Sequence, residues 1–141
     1  SLTIMKKLWT EDEPEHDGHY YSFPRLRFHP QPVQKPAPPI LLGGGSRRVF
    51  DRTVALADGW APWEIDPDAL AAGRQRLHEA CEQAGRDPET TSITVFTSKR
   101  DPDVVSAYTD AGADRIVFTM ASTPDRDPFG RLEEIAGLAG L

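Results

Sequence analysis

The chain has one cysteine, little positive charge and no long apolar run, and each shortage excludes a class of protein. Cys81 has no intrachain disulfide partner, which excludes a disulfide-stapled scaffold and favours a reducing compartment. The net charge is -6, from 16 Lys and Arg against 22 Asp and Glu, whereas a nucleic-acid partner requires a basic face. Neither a membrane-spanning run nor a signal-peptide core is present. We therefore expect a cytoplasmic protein with no nucleic-acid partner and no membrane partner.

The usual catalytic and metal-binding patterns are also missing. No Ser-His-Asp set can be selected by spacing, so the catalytic residues stay unknown at this level. His16 and His19 lie three apart in an acidic loop, but further metal ligands are not evident, which favours solvated histidines and no metal site. Cys81 falls on the apolar face of a predicted helix, which favours a buried structural thiol over a nucleophile.

The first 39 residues differ in pattern from the rest of the chain. Apolar residues at helical spacing predict the end of a helix over residues 1–10, and the polar stretch 10–18 predicts an acidic loop. Residues 19–39 carry six prolines and scattered aromatics, a composition too rich in proline for a helix. We expect this stretch to be an extended arm lying on a surface, and we place a domain boundary between residues 39 and 40.

From residue 40 to residue 141, strand and helix patterns alternate four times. The predicted strands cover 40–42, 58–62, 91–98 and 114–120, and the predicted helices cover 46–57, 66–85, 102–111 and 130–140. Asp66 and Gly85 are suitable caps for the second of these helices. Four consecutive βα units predict an α/β fold with a parallel sheet and right-handed crossovers.

A glycine turn lies between the first of these strands and its helix. Gly43, Gly44 and Gly45 are followed by Ser46, a suitable N-cap, and by Arg47. Glycines at this position let a ligand approach the backbone, and the free N–H groups of a helix N-terminus attract an anion such as a phosphate. A flexible loop with solvated arginines is the alternative. The stretch matches neither the GxGxxG motif nor the P-loop.

Other polar and aromatic residues are predicted to follow the carboxyl ends of the strands. Because these ends meet at one rim of a parallel sheet, we expect Trp60, Thr97, Ser98, Lys99 and Thr119 to lie at the same rim as Gly44. Trp60 and Trp63 flank a strand end, where they either pack in the core or form a wall for a flat ligand. Lys99 either faces solvent or meets an anionic ligand.

Five segments resemble luciferase-like monooxygenases and occur in the order of that family. They are LWTEDEPEHDGHYYSF, PQPVQKPAPPILLGGGS, ALADGWAPW, AGRDP and GADRIVF, which together extend over most of the chain. The resemblance is to the branch that uses the deazaflavin coenzyme F420, of the methylene-tetrahydromethanopterin reductase type, and FMN-using members are similar in these segments.

The resemblance implies that the chain is the C-terminal, parallel (βα)4 half of a TIM-type (βα)8 barrel, preceded by the Pro-rich arm. It implies an oxidoreductase or monooxygenase with coenzyme F420 or FMN as cofactor and a small molecule as substrate. The implied cofactor-binding residues are Gly43, Gly44, Gly45, Ser46, Arg47 and Trp60.

Two alternatives remain beside this interpretation. In the family that the chain resembles, the residues around the reactive ring come from strands that precede the segments found here. The resemblance therefore implies either half of an oxidoreductase site or a noncatalytic half-barrel or assembly subunit. Four strands of a barrel also have two open edges, at Ile40–Leu42 and Arg115–Phe118. We therefore expect a homodimer or higher homo-oligomer, with the aromatic arm as a candidate contact.

Overall fold

The computed structural model describes residues 1–120 and 127–138, and the chain divides into two compact units, Ser1–Ile40 and Leu41–Leu141. The helices are α1 (Leu2–Thr10), α2 (Arg47–Leu56), α3 (Pro67–Gln83), α4 (Pro102–Asp110) and α5 (Pro128–Leu138). The strands are β1 (His16–Asp17), β2 (Ser22–Phe23), β3 (Leu41–Leu42), β4 (Gly59–Trp60), β5 (Ser92–Thr97) and β6 (Arg115–Phe118). Among the helices of the two described ranges, none combines the length and apolar character needed to cross a membrane.

The first unit contains the predicted helix and a hairpin that the sequence pattern did not indicate. Strands β1 and β2 pair antiparallel, with His16 opposite Phe23, so the prediction of an unstructured acidic loop over 10–18 is wrong at its end. Residues 24–40 form neither helix nor strand. The Gln31 amide donates to the Leu8 carbonyl at 3.1 Å, which ties this irregular segment to α1.

The second unit is a parallel sheet in the order β3-β4-β5-β6, with helices in the connections. The predicted α/β class and four-stranded parallel sheet are therefore confirmed, and the arrangement is consistent with half of a TIM-type barrel. The predicted element bounds differ by a few residues. In particular β3 begins at Leu41 instead of residue 40, and positions 139–140 of the predicted last helix lie outside the described residues.

The core of the second unit lies between the sheet and helices α2, α3 and α4. Its buried members are Val49, Phe50, Trp60, Leu70, Leu77, Cys81, Ile93, Val95 and Tyr108. The Trp60 ring meets Phe50 edge-on, with centroids 5.1 Å apart. It also covers Gly73 so closely that a Cβ there would overlap the indole, which explains a glycine inside a long helix.

Helix α3 begins and ends as its sequence predicts. The Asp66 carboxylate accepts from the Asp68 N–H at 2.9 Å, and Pro67 occupies the first turn. At the other end Gly85 has a φ of 68°, and the Arg86 N–H donates to the Cys81 carbonyl at 2.9 Å. This hydrogen bond is typical of a Schellman cap. Ala84, which the pattern assigned to the apolar face, is the C-cap and is exposed.

Candidate functional site

The carboxyl ends of the four strands meet at one rim, as the sequence predicts. The Thr119 N–H donates to the Thr97 carbonyl at 2.8 Å, which joins the ends of β5 and β6. At the other side of the sheet, the Ala61 N–H donates to the Leu42 carbonyl at 2.9 Å and joins the ends of β3 and β4. Ligands of parallel α/β folds bind at this end of the strands, so the rim is the candidate site.

The glycine turn at this rim leaves open space above its backbone. Gly44 has a φ of 113°, a conformation that side chains other than glycine rarely adopt. A Cβ at Gly44 or Gly45 would meet nothing within 4 Å, and one at Gly43 would lie 3.4 Å from the Ala61 carbonyl. The glycines are therefore not required by packing alone, and a ligand has room to reach the main chain.

Trp60 holds the glycine turn in position through a hydrogen bond. Its indole N–H donates to the Gly44 carbonyl at 2.8 Å, while its ring is fully buried in the core. Of the two interpretations of Trp60, core packing is therefore the one that the structure shows. A direct contact between Trp60 and a cofactor stays a prediction. The geometry supports an indirect role, in which the hydrogen bond from Trp60 holds Gly44 in position.

The first turn of α2 has unused hydrogen-bond donors. The first N–H groups of an α-helix have no i−4 partner within the helix, and here the N-cap Ser46 makes no side-chain capping bond to them. The Val49 N–H donates to the Ser46 carbonyl at 2.9 Å, which leaves the N–H groups of Arg47 and Arg48 facing the turn. The first turn carries no acidic residue, and both Arg47 and Arg48 are exposed. Positive charge in this turn opposes the helix dipole, so a bound anion would relieve the repulsion.

The Arg47 side chain borders a surface groove between α2 and α3. The groove has a volume of about 410 Å³, and Asp51, Arg76 and Glu79 line it as well. The guanidinium of Arg47 thus has neighbours of both charges on the outer helices. A contact between this guanidinium and a cofactor at the rim stays a prediction.

Glu64 is the rim residue that sequence reasoning missed. Its carboxylate accepts hydrogen bonds from the Ser98 N–H and, at 3.2 Å, from the Thr97 hydroxyl. The hydrogen bond from Ser98 lowers the pKa of Glu64 below its ordinary value, and the Thr97 hydroxyl and the positive charge of Lys99 act in the same direction. The available signal was an acidic residue in the segment after a predicted strand, four positions past Trp60 in the sequence.

The remaining candidates from the sequence do not join this site. The Cys81 thiol is buried in the core of the second unit. His16 lies in the hairpin of the first unit, where its ring is 6.0 Å from that of Phe23. Throughout residues 1–120 and 127–138, no group of three or more His, Cys, Asp or Glu side chains is arranged to hold a metal ion.

The geometry supports binding of an anion more strongly than acid–base chemistry. The rim offers backbone donors beside an open turn, whereas the carboxylate of Glu64 is occupied by two donors and its pKa is lowered. A general acid requires a raised pKa. The geometry of the rim therefore suits binding and orienting a ligand better than it suits proton transfer.

Comparisons with known proteins identify the family of the chain. A family model described as luciferase-like monooxygenase matches residues 1–136. An uncharacterised protein of Mycobacterium tuberculosis (strain H37Rv) is 29% identical over 139 residues, which cover 96% of this chain and 47% of the relative. The FMNH2-dependent dimethylsulfone monooxygenase of Pseudomonas putida is 35% identical over 57 residues, covering 40% of this chain and 16% of that enzyme.

A solved structure shows the same fold. The coenzyme F420-dependent tetrahydromethanopterin reductase from Methanopyrus kandleri superimposes with a TM-score of 0.72 at 12% identity, covering 95% of this chain and 59% of that one. The chain thus spans about half the length of the relatives it matches, with 47% of the mycobacterial relative covered. Since the family model extends over almost the whole chain, the chain belongs to the luciferase-like monooxygenase family.

Proposed function

We propose that this chain supplies the cofactor-phosphate-binding half of a flavin- or deazaflavin-dependent oxidoreductase. The observation that carries the proposal is the open glycine turn beside the N-terminus of α2, at the carboxyl rim of a parallel sheet. The family includes members named for FMNH2 and for coenzyme F420, and both cofactors carry a phosphate group. The proposal covers FMN and coenzyme F420 alike.

The residues of the turn fit a phosphate group. The backbone at Gly43, Gly44 and Gly45 can approach phosphate oxygens without steric hindrance, and the first N–H groups of α2, beginning at Arg47, can donate to them. Trp60 holds the turn in place through its bond to the Gly44 carbonyl. The bound cofactor would supply hydride transfer or oxygen activation, while these residues anchor its phosphate end.

The binding test compares two glycines that share a left-handed conformation but lie at opposite ends of the sheet. Gly44→Val fills the open turn at the rim, and Gly85→Val places a side chain at another positive φ, at the end of α3, where a Cβ also meets nothing. Both variants should lower the melting temperature. Gly44→Val alone should raise the Kd for FMN and for coenzyme F420 at least tenfold, measured by titration of the visible absorbance.

A milder variant separates steric blocking from strain. Gly45→Ala adds one methyl group in open space, at a residue whose φ is not left-handed. We expect nearly unchanged stability and a raised Kd for the phosphate-bearing cofactors. If both glycine variants at the rim leave cofactor binding unchanged, the turn serves the fold alone and the proposal is wrong.

The second candidate is a noncatalytic half-barrel or assembly subunit. It is favoured by one observation: among the rim residues that the structure describes, the carboxylate of Glu64 is already engaged by Thr97 and Ser98. Turnover separates the candidates. A chain that binds reduced FMN or F420 but neither accelerates oxygen consumption above that of free reduced FMN nor exchanges hydride is a binding subunit. Substrate-dependent oxidation of the cofactor above that background establishes the oxidoreductase.

The proposal includes self-association. Strands β3 and β6 each have one neighbour among the described strands, so each presents an open edge. Tyr20 and Tyr21 are 86% and 64% exposed, as expected of an arm that contacts another chain. We expect light scattering to report a homodimer or higher oligomer, and a cooperative monomer at micromolar concentration would exclude it.

A further inference from the structure

Trp63 is a large aromatic side chain left uncovered at the candidate site. The residue is 62% exposed, although it lies only three positions after the buried end of β4. One face is supported by Phe96, whose ring lies nearly parallel at 19° with a centroid separation of 6.5 Å. An indole supported on one side and uncovered on the other is arranged to stack against a flat group.

The backbone beside Trp63 is fixed in an unfavourable conformation. Glu64 is the one non-glycine residue with positive φ recorded among the described residues, at 46°. Its N–H donates to the Phe96 carbonyl at 2.9 Å, and its carboxylate accepts from Thr97 and Ser98. Such strain persists where surrounding contacts over-determine the conformation, and it is concentrated at ligand sites. The three bonds hold the segment that carries Trp63 against β5.

The position of Trp63 along the rim matches a ligand that also reaches the glycine turn. Ala61, two residues before Trp63, is bonded to Leu42 and borders Gly43. Trp63 itself pairs with Phe96 on β5. Neighbouring strands lie about 4.8 Å apart, so the turn after β3 and the aromatic pair at β5 are separated by roughly 10 Å. That distance suits a phosphate and a ring joined by a short polyol chain.

We propose that Trp63 binds a planar conjugated ring by stacking, and that Glu64 positions it. This inference rests on the proposed function for the occupant of the neighbouring turn. The ring belongs either to the cofactor or to a flat substrate bound beside it. In both cases the recognised chemistry is the same, a planar π-system placed on the uncovered face of the indole.

The first experiment compares FMN with riboflavin, which has the same ring but no phosphate. Binding of each to the purified chain is titrated by visible absorbance for the wild type, Trp63→Ala, Trp63→Phe and Gly44→Val. Trp63→Ala should raise both Kd values roughly tenfold, whereas Trp63→Phe should restore most of the affinity. Gly44→Val should weaken the binding of FMN and leave the binding of riboflavin unchanged. Tyr20→Ala, which removes an exposed aromatic of the first unit, controls for unspecific adsorption.

The second experiment observes Trp63 directly. In a Trp9→Phe background the remaining indoles are buried Trp60 and exposed Trp63, so iodide quenches the emission of Trp63. A stacked ring should protect that emission. Protection by 2-naphthol, without any effect of Trp63→Ala on flavin binding, would assign the ring to a flat substrate.

The outcomes separate the two proposals. If Trp63→Ala weakens riboflavin binding while Gly44→Val changes the Kd values of FMN and riboflavin equally, the proposed ring site is supported and the proposed phosphate site is wrong. If Trp63→Ala changes neither flavin binding nor protection by 2-naphthol, the inference is overturned. It is also overturned if that variant alters only the oligomeric state, because Trp63 would then cover another chain.

Discussion

The two ends of the parallel sheet are built differently. At the amino end of the strands, side chains close the backbone: the Arg86 guanidinium donates to the carbonyls of Val54 and Ala57 at 2.9 and 2.8 Å, and Asp114 accepts from the Ile93 N–H at 2.6 Å. At the carboxyl end, the Ser46 hydroxyl caps no N–H group and the glycine turn is open. The hydrogen bonds at the amino end contribute to stability, and the open carboxyl end is where the proposed ligand site lies.

The two ends of α2 differ in the same way, because side-chain hydrogen bonds satisfy its C-terminus and not its N-terminus. Its last carbonyls receive the positive charge of Arg86, which lies 29 residues beyond Ala57 and satisfies the C-terminus from another loop. Its first N–H groups receive no side chain of the N-cap. An anion at the rim would accept hydrogen bonds from the first N–H groups of α2, just as Arg86 donates to its last carbonyls.

Trp60 joins the core of the second unit to the glycine turn, so its removal should have the largest effect. Trp60→Ala leaves a cavity against Phe50 and Gly73, and large aromatic-to-alanine changes in a core cost about 3–5 kcal/mol. Trp60→Phe keeps much of the apolar volume but removes the N–H that holds the Gly44 carbonyl. We expect chemical denaturation to show a severe loss for the first variant and a smaller one for the second.

Cofactor affinity distinguishes the two roles of Trp60. If the hydrogen bond to Gly44 positions the turn, Trp60→Phe should weaken FMN binding at a temperature where the variant is fully folded. Unchanged affinity in folded Trp60→Phe would show that the ring contributes to the core alone, and that the turn keeps its conformation without it.

Arg86→Ala should be the second largest change, and it should affect only one end. It removes the partner of the last α2 carbonyls and the contact of Arg86 with the Thr90 carbonyl at 3.1 Å. Hydrogen bonds to a charged group contribute about 1.5–3 kcal/mol, and we expect a destabilisation in that range. Arg86→Lys should recover part of it, because one ammonium cannot replace a branched guanidinium. Flavin Kd values should not change, and a marked change would contradict the separation of the two ends.

The helices and strands of the second unit could be predicted from the sequence because capping residues and apolar periodicity indicate the same elements. Asp66, Pro67 and Gly85 mark the ends of α3 by capping chemistry, and the alternation of strands and helices follows from apolar periodicity. These signals depend on neighbouring residues and need no knowledge of the fold.

The parts that escaped prediction depend on contacts between distant residues. Strand β4 has only two residues, so no period indicates which side Trp60 faces. Gly73 is explained only by the indole above it, and Glu64 only by donors more than thirty positions away, at Thr97 and Ser98. The β1–β2 hairpin likewise has two residues in each strand, and its pairing leaves no readable alternation.

The smallest expected effect is the pH dependence contributed by Glu64. Because its pKa is lowered in the folded chain, through the hydrogen bond from Ser98 above all, folding favours its ionised form. Its stabilisation is present above the ordinary carboxyl pKa and is lost as the pH falls through the lower folded pKa. Glu64→Gln should therefore lower the free energy of unfolding slightly at pH 7, by less than about 1 kcal/mol because the group is near solvent. The difference from the wild type should shrink towards pH 3 in denaturant titrations. A difference that stays constant from pH 7 to pH 3 would show that Glu64 acts at the rim through its shape and hydrogen bonds, and not through its charge.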